Sequence, residues 1–182
     1  FTYNNIRQRN RNALLWQDET IDGLKTGHTE SAGFCLVSSG IRDSTRLIAV
    51  TLKSSSEKSR LTDNRKLLDY GFRYFRTKKL IEKGQLVKEE QVWGGDSEKV
   101  GIAPIEDFYL TLPLRDFKKV ESFVFLDDYL KAPFSKNQKV GRMIFKLGES
   151  EVGSVDLVSM KEVESKGIFG RAWSNIKLLV YR

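Results

Sequence analysis

The sequence predicts an α+β protein in which antiparallel strands and one helix precede a small all-β, sandwich-like domain and a C-terminal amphipathic helix. Three observations carry that reading. Gly33-Phe34-Cys35-Leu36-Val37-Ser38 and Arg46-Leu47-Ile48-Ala49-Val50-Thr51-Leu52 are short apolar runs separated by a polar turn around Gly40 to Ser44, the pattern of two strands. Behind them Leu61, Leu68, Phe72 and Phe75 recur near helical spacing. From about Leu80 to Val163 short apolar pieces alternate with turn residues, as they do in small β domains.

Ser54-Ser55-Ser56, with Glu57 close behind, is an N-cap cluster for the helix, and Lys58, Arg65, Lys66 and Asp69 fall on faces other than its apolar stripe. The helix is therefore amphipathic and is expected to pack on the two strands. Two strands and a helix are too little to close a core, so residues 1–76 are expected to be ordered only where further chain or a partner covers their apolar face. The strand candidates beyond them are Gln85-Leu86-Val87, Gln91-Val92-Trp93, Phe108-Tyr109-Leu110-Thr111-Leu112, Val120-Glu121-Ser122-Phe123-Val124-Phe125, Lys139-Val140-Gly141-Arg142-Met143-Ile144-Phe145 and Gly153-Ser154-Val155-Asp156-Leu157-Val158. Trp93, Tyr109, Phe123 and Phe125 mostly alternate within these pieces, which predicts core packing rather than a stacking platform for nucleic acid. No nucleic-acid-binding motif accompanies them.

Residues 165–182 carry Lys166, Arg171, Lys177 and Arg182 and no acidic residue, while Ile168, Phe169, Ala172, Trp173, Ile176, Leu179 and Val180 share one helical face. That is the composition of an interfacial membrane helix. Phe169, Arg171, Trp173, Ile176, Lys177 and Val180 are its expected membrane-binding residues, and the competing reading is a helix packed on its own domain. The predicted divisions are 1–76, 77–164 and 165–182.

With 182 residues, 40% of them hydrophobic, the chain has enough apolar material for a real core. A net charge of +7 favours anionic partners without choosing among nucleic acid, lipid and carboxylate substrates. Cys35 is the only cysteine and His28 the only histidine, so an internal disulfide, a Cys-rich zinc site and a His-pair metal site are all excluded. Cys35, inside Phe34-Cys35-Leu36-Val37, is expected to be a small buried hydrophobe. No apolar run approaches the ~20 residues that span a bilayer, and the first residues lack the form of a signal peptide.

The tripeptide Lys25-Thr26-Gly27, set in Ile21-Asp22-Gly23-Leu24-Lys25-Thr26-Gly27-His28-Thr29, is the feature that points to chemistry. K-T-G entering a strand is one part of a three-part signature whose other parts are a nucleophilic S-x-x-K and an S-x-N-type element. The residue types suit the task. Lys supplies a point charge beside a serine nucleophile and a substrate carboxylate, the Thr hydroxyl bonds that carboxylate, and Gly lets a substrate backbone approach the strand. The next amide, on His28, can point at a developing oxyanion. Ser55-Ser56-Glu57-Lys58 spells S-x-x-K but follows K-T-G and heads the wrong helix, so it is read as a cap; the chain is then the C-terminal part of a longer enzyme.

The stretches Asn10-Arg11-Asn12-Ala13-Leu14-Leu15-Trp16, Asp22-Gly23-Leu24-Lys25-Thr26-Gly27-His28-Thr29 and Ala32-Gly33-Phe34 resemble the serine D-alanyl-D-alanine carboxypeptidases among the low-molecular-mass penicillin-binding proteins. Leu67-Leu68-Asp69-Tyr70-Gly71-Phe72-Arg73 is similar to the helix closing that family's peptidase domain, the β-rich zone to its second domain, and the basic end to its membrane anchor. For residues 1–76 the resemblance implies the C-terminal part of a β-lactamase/transpeptidase-like domain. It also implies roles: Lys25, Thr26 and Gly27 as the third motif, the His28 backbone N–H in the oxyanion hole, and Arg60 as the arginine that helps hold the substrate's terminal carboxylate. The loop Lys53-Ser54-Ser55-Ser56 departs from the family, whose members often carry glycines there.

The implied activity is removal of the terminal D-Ala from peptidoglycan stem peptides through an acyl-enzyme, with β-lactams acylating the same serine. The implied partners are a stem peptide ending in D-Ala-D-Ala, β-lactam antibiotics and an anionic membrane surface; no cofactor, metal or nucleic acid is implied. The implied location is the periplasmic face of the bacterial inner membrane, with the isolated chain inactive for want of its nucleophile. The alternative is a non-catalytic cell-envelope module that binds membrane.

Overall fold

A computed structural model describes residues 2–127 and 129–166. The expected membrane-binding residues Phe169, Arg171, Trp173, Ile176, Lys177 and Val180 lie outside the described residues. The chain divides into two compact units: the residues up to Lys78 together with Thr111–Arg115, and Lys79–Leu110 together with the residues from Asp116 onward.

In the first unit, β1 (Thr2–Tyr3) and β2 (Ile6–Arg7) form a small hairpin, and a 3-10 turn (Ala13–Trp16) leads into β3 (Ile21–Thr29), β4 (Gly33–Arg42) and β5 (Thr45–Ser54). These three strands pair antiparallel in the order β3-β4-β5. The β4–β5 turn is tighter than the sequence predicts. Gly40, Ile41 and Arg42 pair with Leu47, Arg46 and Thr45, leaving only Asp43 and Ser44 to reverse the chain, with Asp43 at φ 52°. Asp tolerates that left-handed conformation, which is why a two-residue turn closes here.

Helix α1 (Glu57–Tyr74) begins where the serine cluster predicts, with Ser56 as cap and reciprocal bonds between Ser56 and Ser59. Phe75, expected on the helix, opens β6 (Phe75–Ile81) instead. The stripe that α1 buries is Arg60, Asn64, Leu68 and Phe72, one residue per turn. Its lower half joins a core of Leu14, Ile21, Leu36, Ala49, Leu68 and Phe72. On β5, Thr45, Ala49 and Thr51 are buried whereas Ile48, Val50 and Leu52 are 63%, 51% and 72% exposed. The strand thus alternates between a face packed on α1 and an apolar face turned outward.

Cys35 is half-buried, donating its Sγ–H to Ala32 O at 3.3 Å, rather than buried as expected. Its neighbours Leu36 and Ser38 take the inner face of β4, and Cys35 points the other way.

The remaining strands are β7 (Lys88–Gln91), β8 (Lys99–Pro104), β9 (Phe108–Pro113), β10 (Val120–Leu126), β11 (Lys139–Leu147) and β12 (Ser150–Ser159). Five of them form one antiparallel sheet, β10-β11-β12-β8-β7, while β6 and β9 form a two-stranded ladder. The core of the second unit gathers Val92, Val100, Ile102, Leu130, Phe134, Val140, Leu157 and Val163. Of the pieces 85–87 and 91–93 only Gln91 lies in a strand, as the last residue of β7. The rest of that strand is the charged stretch between them, and as the sheet margin it needs charge rather than apolar bulk. Of the four aromatics expected in the core only Trp93 is there, at 7% exposure; Tyr109, Phe123 and Phe125 are 49%, 40% and 51% exposed. Phe123 and Phe125 lie on β10, the other sheet margin, which is paired on one side only, with β11. Among the described residues no helix is long and apolar enough to cross a membrane.

Asp18 ties the loop before β3 to Arg42 of β4, which also pairs with Asp69 of α1. Its carboxylate accepts from the Thr20 hydroxyl at 2.6 Å, the Thr20 amide at 2.9 Å and Arg42 Nη2 at 2.9 Å. The Thr20 hydroxyl foremost, then its amide and Arg42, hold the Asp18 carboxyl below its ordinary value against the opposing effect of partial burial. The folded state therefore binds this proton less readily than the unfolded one. The stabilisation is present above the ordinary carboxylate range and is lost as pH falls through the lowered folded value. Asp18→Asn is expected to flatten the acid limb of the stability curve while changing stability at neutral pH by no more than about 1 kcal/mol, as thermal melts from neutral to strongly acid pH would measure.

Candidate active site

K-T-G lies on β3, a margin of the three-stranded sheet, with Lys25, Thr26, Gly27 and His28 paired in register to Val37, Leu36, Cys35 and Phe34. Thr26 is 8% exposed and lies on the inner face with Leu36. Lys25 Nζ donates to Thr26 O at 2.8 Å, so its ammonium stays against its own strand. A Cβ built on Gly27 would meet only Cys35 Cβ, at 3.8 Å, an ordinary contact. The sheet itself does not require glycine here, so the missing side chain matters to whatever lies over the strand.

Arg60 reaches this strand from the first turn of α1. Near its end β5 shifts register between the Phe34–Ser54 and Leu36–Thr51 pairs, with Lys53 at φ 56°, and Ser56 then caps the helix. This is how the glycine-free loop still delivers the arginine. Arg60 is 3% exposed. Its Nη2 pairs with Glu57 Oε1 at 3.1 Å, its Nη1 lies 3.5 Å from Gly27 O, and its guanidinium carbon sits 5.6 Å from the Phe34 ring centroid. Phe34 in turn stacks on the His28 ring at 4.1 Å. Arg60 Nε is buried without a hydrogen-bond partner.

Lys25, Thr26, Gly27, His28 and Arg60, the five residues singled out from the sequence, line one cleft of about 740 Å³. The same cleft is lined by Gln8, Arg9, Asn10, Arg11 and Glu57, which sequence reasoning missed. Two asparagines hang this segment beside β3. Asn10 Nδ2 donates to Leu24 O at 2.9 Å, and the fully buried Asn12 donates to Gly23 O at 2.9 Å while accepting from the amides of the 3-10 turn. The one signal in the sequence is the run of cations Arg7, Arg9 and Arg11, of which Arg9 and Arg11 reach the cleft. Ser55 and Ser56 belong to the α1 cap, in keeping with reading Ser55-Ser56-Glu57-Lys58 as a cap. Among the described residues no cluster of three or more His, Cys, Asp or Glu could hold a metal ion.

A K-T-G margin strand backed by a capped helix, followed by an all-β unit, puts the chain in the class of penicillin-binding serine peptidases. Residues 1–56 match the family described as D-alanyl-D-alanine carboxypeptidase, and residues 75–165 match that described as penicillin-binding protein 5, C-terminal domain. The chain belongs to the family of D-alanyl-D-alanine carboxypeptidases represented by penicillin-binding protein 5. It is 38% identical over 183 residues to D-alanyl-D-alanine carboxypeptidase DacA of Escherichia coli (strain K12), matching 100% of this chain and 45% of that protein. Crystal structures of penicillin-binding protein 5 from Haemophilus influenzae superpose with a TM-score of 0.77 at 36% identity, covering 91% of this chain and 49% of that one. The D-alanyl-D-alanine carboxypeptidase DacD from Francisella tularensis superposes with a TM-score of 0.62 at 32% identity, covering 87% and 40%. The chain thus spans about half the length of the relatives it matches.

A buried guanidinium with one donor unsatisfied contributes little to folding, because its desolvation offsets its attraction to Glu57. Glu57, the partner left behind, is exposed, so Arg60→Met, similar in volume, is expected to change stability by no more than about 1 kcal/mol. Denaturant titration of the variant against the parent would measure it.

Proposed function

We propose that this chain is the C-terminal part of a serine D-alanyl-D-alanine carboxypeptidase that removes the terminal D-Ala from peptidoglycan stem peptides. The observation that carries the proposal is the convergence of Lys25, Thr26, Gly27, His28 and Arg60 on one cleft. Lys25, Thr26 and Arg60 grip the substrate's terminal carboxylate, for which a guanidinium and a hydroxyl are the natural partners. The open face of Gly27 admits the substrate backbone, and the His28 amide stabilises the tetrahedral oxyanion. The nucleophile is a serine of an S-x-x-K outside this sequence. It attacks the penultimate D-Ala carbonyl, releases the terminal D-Ala, and is freed when water hydrolyses the acyl-enzyme. A β-lactam acylates the same serine and remains.

In this reading residues 1–76 belong to the peptidase domain, 77–164 form the second domain, and 165–182 anchor the protein to the periplasmic face of the inner membrane. The outward apolar face of β5 supports the first division, since Ile48, Val50 and Leu52 are side chains that the rest of a peptidase domain would cover. Basic residues of the tail near anionic lipid, at about 1 kcal/mol each, together with its apolar face, support the last.

Labelling with a fluorescent penicillin tests the proposal: the complete protein is expected to label covalently, and this 182-residue chain is not. In the complete protein Arg60→Ala is expected to lower kcat/KM for a diacylated peptide ending in D-Ala-D-Ala by about 10- to 100-fold, the scale of one charged hydrogen bond. Unchanged kinetics would remove Arg60 from carboxylate binding.

A further inference from the structure

The cleft holds more positive charge than one carboxylate needs. Arg9, Arg11, Lys25 and Arg60 line it against a single acid, Glu57, and that acid is already paired with Arg60. Gathering like charges is unfavourable unless an anion arrives to offset them. The proposed function assigns Lys25 and Arg60, with Thr26, to the terminal carboxylate, which leaves Arg9 and Arg11 without an anion. Neither forms an ion pair among the described residues.

Arg9 is the better held of the two. Its guanidinium carbon stands 5.6 Å from the Trp16 ring centroid, a contact that favours one placement of the head group without neutralising it. Next to it, Asn10 donates to Leu24 O, the residue before Lys25, which ties the segment to the strand that carries K-T-G. A planar fork of donors is suited to a second carboxylate.

The geometry points to a second anion subsite at Arg9, one that makes the cleft selective for peptides carrying a side-chain carboxylate beside the scissile bond as well as the carboxylate at their end. This inference rests on the carboxypeptidase reading and adds a specificity-determining residue to it. In an extended substrate, successive residues are about 3.3 Å apart, so an arginine beside K-T-G can serve either the leaving residue or the one preceding D-Ala-D-Ala.

The test uses the complete protein and three diacylated peptides: one with no side-chain charge, one with an acidic leaving residue, and one with an acidic residue before the D-Ala-D-Ala end. At low salt one of the two acidic peptides is expected to exceed the neutral one in kcat/KM by about tenfold, as befits a charge-assisted contact. Arg9→Ala is expected to bring that ratio to about one, and Arg9→Lys to retain part of it. Both peptides are measured on the same preparation, so a loss of folded enzyme cancels from the ratio. Two acidic peptides turned over no faster than the neutral one, or a preference that survives Arg9→Ala, would overturn the subsite and leave the carboxypeptidase reading standing. Failure to turn over any of the three would overturn that reading, and the subsite with it.

Discussion

Keeping one guanidinium out of water is the constraint on which the functional wall of the first unit depends. Arg60 is almost wholly buried, and a buried cation persists only where opposite charge, dipoles and aromatic faces replace its hydration. Its substitutes come from three elements: Glu57 from α1, the Gly27 carbonyl from β3 and the Phe34 ring from β4. Satisfying this single charge therefore sets α1, β3 and β4 in one mutual arrangement. The same arrangement brings Thr26 and His28 alongside the arginine. One donor, Nε, is still unsatisfied, so an acceptor delivered there relieves a desolvation penalty as well as forming a bond.

Helix α1 shows how a core element and a site element can be one object. Its buried stripe changes character along its length, from Arg60 and Asn64 near the start to Leu68 and Phe72 near the end. The apolar half anchors the helix to the sheet. The polar half then lies against strand backbone, where Asn64 Nδ2 donates to Leu36 O at 3.1 Å and Ala49 O at 3.3 Å. A stripe polar throughout would lack the burial that holds the helix in place. One apolar throughout would have nothing to offer the cleft.

The parts of this architecture legible in the sequence are those governed by local pattern. Strand alternation marks β11 and β12, the serine cluster marks the α1 cap, and K-T-G marks β3. The rest depends on distant residues. β8 escapes notice because Gly101 and Pro104 break its apolar pattern, yet Ile102 within it is fully buried. A Cβ at Gly101 would lie 2.8 Å from Met160 Sδ and 3.0 Å from Leu86 Cδ1, flexible side-chain ends that would have to shift to admit it. Phe123 and Phe125 lie on a margin strand that is exposed on both faces, and no local pattern encodes sheet order. Arg60 entered through family resemblance, because apolar periodicity passes over a buried cation. Arg9 and Arg11 join the cleft only because two asparagines fasten their segment to the main chain of β3.

The return of Thr111–Arg115 to the first unit means that the polypeptide passes between the two units more than once. In the first unit Leu114 N donates to Tyr74 O at 2.9 Å and the Thr77 and Thr111 hydroxyls lie 2.8 Å apart, so this short segment closes the region where α1 gives way to β6. A single scission after Lys78 would release a module stripped of its final patch, Pro113 and Leu114 included. The first unit is discontinuous in sequence, and a gene fusion or swap that exchanged it would have to carry two separate stretches.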